Sequence, residues 1–149
     1  MVRFLGGGLI LLGCFLYAKD FQSRQRQVIL VLKEYLELID HVRMQIEHFS
    51  LPVSKILSEC DHIGASTVSL LLETIEADKI LSAEEKKELH AWASRLGDGY
   101  KEEQIAWCVF AREKLKGYMD KHTSEYPGKV KANNALSFLV GASLILLLI

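Results

Sequence analysis

Five histidines and three cysteines are the side chains of this 149-residue chain best suited to metal binding or nucleophilic chemistry. Their spacing argues against both. His41 and His48 are seven residues apart, so on a helix they share a face but stand about 10 Å apart. One metal ion does not bridge that gap without a third element, and no two histidines show the four-residue spacing of helical zinc sites. Cys60 and His62 are two apart and point different ways on a helix. Cys60 and Cys108 each fall in an apolar helical pattern with no local base, which reads as packing rather than catalysis. The Gly-Asp-Gly at residues 97–99 lacks the Lys-Ser/Thr of a nucleotide loop. Glu84, Glu85 and Glu88 are interleaved with Lys86 and Lys87, the pattern of a solvated helix face. These groups predict a protein that is not an enzyme and takes no metal, cofactor or small-molecule substrate.

Charge narrows the partners further. Lys+Arg numbers 18 and Asp+Glu 19, so the basic excess of a nucleic-acid binder is missing. The distribution is uneven: apart from Arg3, every charged side chain lies between Lys19 and Lys131. Two uncharged apolar ends flank a charged middle. Three cysteines cannot all pair within one chain, and their wide spacing predicts a reducing compartment for the middle.

The elements that would position any site therefore begin with those ends. Residues 4–18, "FLGGGLILLGCFLYA", could be a cleaved signal, a lipoprotein signal cut before Cys14, or a retained membrane helix. Apolar residues continue past Cys14, and the site lacks the small residues a cleavage favours, so the retained anchor is expected. Arg3 and Lys19 can carry their charges outward and lengthen a short span. The other end, "ALSFLVGASLILLLI" at residues 135–149, is equally free of charge. Expected domains are an N-terminal transmembrane anchor at 1–19, a helical bundle at 20–132 and a C-terminal transmembrane helix at 133–149. Lys19, Arg24, Arg26, Lys129 and Lys131 lie inward of the spans, which places the middle in the cytoplasm and both termini outside.

The middle follows a helical period throughout. Val28, Leu32, Tyr35, Ile39, Val42, Ile46 and Phe49 recur at steps of three and four, predicting one long amphipathic helix over 25–49. Ser50 is the expected N-cap of a second helix, which Gly64 closes; Ser66 or Thr67 opens a third. Ser82 and Glu85 form a capping box for a fourth, with Gly97 as its C-terminal cap. A further helix starts near Lys101, and Pro127-Gly128 is expected to break or kink the chain before the second anchor. Trp92 and Trp107 are read as core or interface anchors, with the core preferred. The predicted fold is all-α: a membrane-tethered bundle of about five helices with a terminal transmembrane helix at each end.

The ordered set of these features resembles stage III sporulation protein AB of endospore-forming bacteria. The resemblance rests on "FQSRQRQVILVLKEYLELIDHVRMQIEHFSLPVSKIL" after the first span, "LGDGYKEEQ" at residues 96–104, and the closing "LSFLVGASLILLLI". The chain departs from the family pattern at Gln25, where a proline is usual, and at Pro127, inside a helix that usually runs unbroken. The resemblance implies a subunit of the channel complex between mother cell and forespore, anchored in the mother-cell membrane. It also implies a cytoplasmic domain similar to a type II secretion platform protein, docking a secretion-type ATPase and contacting other membrane subunits. The surface expected to do so comprises Glu34, Glu37, Arg43, Asp98, Lys101 and Gln104. A bitopic or holin-like scaffold without ATPase contact is the competing expectation, and a periplasmic binding lipoprotein a third.

Overall fold

The computed structural model describes residues 2–59 and 67–148, with the side chains of 2–8, 11, 145, 147 and 148 outside the description. Cys60, His62, Gly64, Ser66 and the last residue, Ile149, thus lie outside the described residues. Every described element is a helix: α1 Val2–Phe49, α2 Val53–Ser58, α3 Val68–Ala77, α4 Ala83–Ala93 and α5 Lys101–Leu148. The chain divides into two compact units. One is contiguous, Val28–Asp120; the other combines Met1–Gln27 with Lys121–Ile149.

The contiguous unit holds the core, and the α1 seam explains why. Leu32, Ile39 and Val42 are fully buried and Tyr35 and Ile46 nearly so, because steps of three and four keep one face inward. Phe49, the last residue of that seam, is instead 65% exposed. It sits in the final turn of α1, past the last buried layer at Ile46. Cys108, Ala111 and Leu115 of α5 supply a facing stripe, and Leu71, Ile75, Leu89 and Trp92 fill the space from α3 and α4. A fully buried Leu or Ile side chain contributes roughly 1.5–3 kcal/mol over its exposed state.

The helix ends follow local chemistry. Thr67 caps α3 by accepting from the Leu70 amide, and Ser82 and Glu85 form a complete capping box on α4. The Glu85 carboxylate accepts from the Ser82 amide at 2.8 Å, which lets a carboxylate sit among buried residues. Two expected caps are replaced. Ser50 does not cap α2; Pro52 holds that position with no side-chain bond, while Ser50 turns out of α1 at φ 49°. Nor does Gly97 directly end α4. The helix closes at Ala93 and tightens into i→i−3 turns, Arg95 N–H to Trp92 O and Leu96 N–H to Ala93 O, before Gly97 takes φ 90°.

The second unit pairs the start of α1 with the end of α5. The Gln22 amide donates to Asn134 Oδ1 at 3.4 Å, and Arg26 Nε donates to the Tyr126 hydroxyl at 2.8 Å. Partner numbers fall on one helix as they rise on the other, so the two segments are antiparallel. Ala18 and Gly141 are small residues buried in this unit.

The expected break at Pro127-Gly128 does not occur: α5 is helical from Lys101 to Leu148 with Pro127 inside it. Proline removes one backbone donor, but both residues are exposed, so the surrounding backbone faces water. The Glu125–Lys129 ion pair at 2.7 Å bridges the same turn. Among the described residues, no helix is long and apolar enough to cross a membrane. Both apolar runs extend into residues whose side chains are outside the description, and inward they stop at Lys19 and at Asn133-Asn134. The two terminal transmembrane helices expected from the sequence therefore gain no support from the described part.

Candidate interaction surface

Within Val28–Asp120 the described cysteine, Cys108, is packed into the core. No group of three or more His, Cys, Asp or Glu among the described residues could hold a metal ion. Cys108 is fully buried, and its sulfur accepts from Trp92 Nε1 at 3.5 Å. Burial pushes the Cys108 thiol up from its usual value, against the smaller opposing pull of the Trp92 N–H. A thiol held in that way is a poor nucleophile. Tyr35 is pushed up to about 12, first by burial and then by the negative charges of Asp78 and Glu34.

The six residues expected at the docking surface fall into different roles. Glu34 and Glu37 are exposed on α1, where Glu37 faces Lys33 at 3.8 Å. Such an exposed pair contributes little and leaves both carboxylates accessible. Arg43 is half-buried, with its Nε lacking a partner. Asp98 is exposed in the turn before α5. Lys101 is tied down: its ammonium donates to the Glu47 carbonyl at 2.7 Å and the Ser50 hydroxyl at 3.2 Å. A cation there satisfies carbonyls at the end of α1 and suits the negative end of its dipole. Gln104 donates to the Gly99 carbonyl at 3.1 Å and steadies the same turn.

Lys101 and Gln104 are therefore clasps, and they border a groove of about 490 Å³ floored by Ile46, Val53 and Leu96. Glu37 lies ten residues before Glu47 on α1, about 15 Å away along the helix. The structure thus brings Asp98, Lys101 and Gln104 to one end of this unit and leaves Glu34 and Glu37 farther along α1.

One cluster lies outside the six expected docking residues, and it holds Trp107, which is half-buried here and not in the core its preferred reading gave it. Trp107, Phe110 and Lys114 follow one another at steps of three and four on α5, so they share a face. The rings of Trp107 and Phe110 meet edge to face, 5.7 Å between centroids and 87° between planes. Arg95 lays its guanidinium 3.9 Å from the Trp107 ring centre, and Lys114 stands 5.4 Å from that of Phe110. Lys114 also reaches Glu88 at 3.2 Å. Phe110 is 50% exposed, which leaves an aromatic ridge bracketed by two cations. The spacing of Trp107, Phe110 and Lys114 is visible in the sequence. Arg95 is not, because it comes from a separate turn.

The described Asp40–Arg112 pair joins α1 to α5 at 2.8 Å, and the Asp40 carboxylate raises the Arg112 guanidinium further above its usual value. Against known proteins, the model of the family described as stage III sporulation protein AB matches residues 71–149, over half of the chain. No curated protein matches, and no solved structure matches.

Proposed function

The chain belongs to the stage III sporulation protein AB family and is a sporulation protein, and from that premise we propose that it is a membrane-tethered adaptor. Its helical unit, Val28–Asp120, docks a cytoplasmic secretion-type ATPase and passes that enzyme's cycle to other membrane subunits of the channel complex between mother cell and forespore. The observation that carries this reading is the antiparallel pairing at Gln22–Asn134 and Arg26–Tyr126. It sets the two apolar ends of the chain at the same end of their own unit, with Lys19, Arg24, Arg26, Lys129 and Lys131 inward of them. A hairpin charged in that way suits insertion of both ends from the cytoplasmic face of the mother-cell membrane.

For docking, the Trp107–Phe110 ridge, with Arg95 and Lys114 beside it, has the composition of a binding hot spot, rich in aromatic residues and arginine. Exposed Asp98, Glu34 and Glu37 remain available for polar contacts, whereas Lys101 and Gln104 support the turn. The test has two arms. Reporter fusions at each terminus should read outside the cytoplasm, and the full chain in detergent should retain the ATPase in a pull-down. A cytoplasmic C-terminus overturns the topology. Outward termini with no ATPase retained overturn the adaptor and leave a structural scaffold.

A further inference from the structure

The unit formed by Met1–Gln27 and Lys121–Ile149 contains a cleft of about 590 Å³ along the pairing of α1 with α5. Its lining changes character along its length. Toward the chain ends it is apolar, with Phe15 and Phe138 exposed at its walls and Cys14 and Ala18 at its floor. Beside these walls stand donors: the Lys19 ammonium and the Ser137 hydroxyl, each next in the chain to an apolar lining residue, and about one turn farther inward the amides of Gln22 and Asn134. Among the described residues no carboxylate lines it.

The Gln22 amide nitrogen donates to Asn134 Oδ1 across the polar end, so the Asn134 NH2 keeps its own donors. This transition falls where each apolar run meets the charged part of the chain. A site with apolar walls, few polar groups and a volume of several hundred cubic ångströms has the proportions of a ligand pocket. Its polar end is suited to an anion, and its apolar end opens toward the two uncharged runs.

We propose that this cleft binds one anionic phospholipid, its phosphate held by Lys19, Asn134 and Ser137 and an acyl chain laid between Phe15 and Phe138. The inference rests on the membrane-tethered reading. Hydrocarbon reaches the apolar walls only when the chain ends are inserted, and Lys19, the basic side chain of the described lining, then meets the headgroup level. A zwitterionic lipid fits the walls equally well but adds a choline cation next to Lys19, so headgroup charge sets the preference.

The experiment uses the full chain reconstituted in vesicles of phosphatidylcholine mixed with phosphatidylglycerol. Flotation on a density gradient reads insertion, and native mass spectrometry of the released protein reads which lipid stays bound. The expected result is flotation together with one retained phosphatidylglycerol in preference to phosphatidylcholine. Lys19→Gln should weaken that preference about fivefold, the effect of ~1 kcal/mol for one juxtamembrane lysine. Ser137→Leu should fill the cleft and abolish retention with flotation unchanged. Soluble glycerol phosphate in excess should fail to displace the lipid, because the acyl chain supplies part of the binding.

Flotation without headgroup preference, or with a preference that neither substitution alters, overturns the lipid site and leaves the anchoring intact. Displacement by glycerol phosphate overturns the acyl-chain contact and makes the cleft a phosphate site. Failure to float overturns the anchoring and the lipid site together.

Discussion

Tyr35 and Cys108 show how burial reshapes individual groups. Both have their protons held more tightly in the folded chain, mainly by burial. A group with a raised folded pKa contributes stability that is complete below its unfolded pKa and lost as pH rises through the folded one. Stability should therefore fall between about pH 10 and about pH 12 as Tyr35 is forced to ionise. The loss is on the order of 2 kcal/mol. Thermal melts across that range should show a shallower decline for Tyr35→Phe than for the parent; identical slopes would remove Tyr35 as the cause. On the proposed adaptor role, Trp107→Ala and Phe110→Ala at the ridge should each weaken ATPase retention at least tenfold, the scale of a hot-spot residue. Circular dichroism of both variants should still show the parent's helical content. The burial of Leu32, Ile39 and Val42 could be read from spacing alone. The clasp of Lys101 on Glu47 and Ser50 could not, since those partners lie about fifty residues away in the chain and nothing local reports them.

At the scale of the elements, caps were legible where the interaction is local. The Ser82–Glu85 box spans three residues and forms as its pattern requires. No break forms at Pro127-Gly128, because the local rule was outvoted by the long pairing of α5 with α1. That proline still weakens the helix it occupies. Pro127→Ala should restore the missing backbone donor and raise stability by up to ~3 kcal/mol. Gly128→Ala should add about 1 kcal/mol, because a methyl there meets nothing within 4 Å. Denaturant melts of the two variants check this. A loss of stability in either would mean that the native residues at 127 and 128 are needed by the pairing of Tyr126 with Arg26.

For the whole molecule, the buried core cluster lies entirely within Val28–Asp120, which is one uninterrupted stretch of chain. A polypeptide of residues 28–120 should fold alone and melt in a single cooperative transition by circular dichroism. A non-cooperative melt would show that the core depends on the remaining residues. The all-helical class was legible because hydrophobic period reports element type directly. The division into two units was not, since a split unit depends on contacts between residues more than a hundred positions apart. That division also sets an order of events during synthesis. The first 27 residues emerge from the ribosome long before their partners, which begin at Lys121. At translation speeds of roughly 5–20 residues per second, the intervening unit takes several seconds to appear, ample time for a helical core to close first. The apolar leading segment spends that interval without its mate, and the pairing closes only when the far end of the chain arrives to join it.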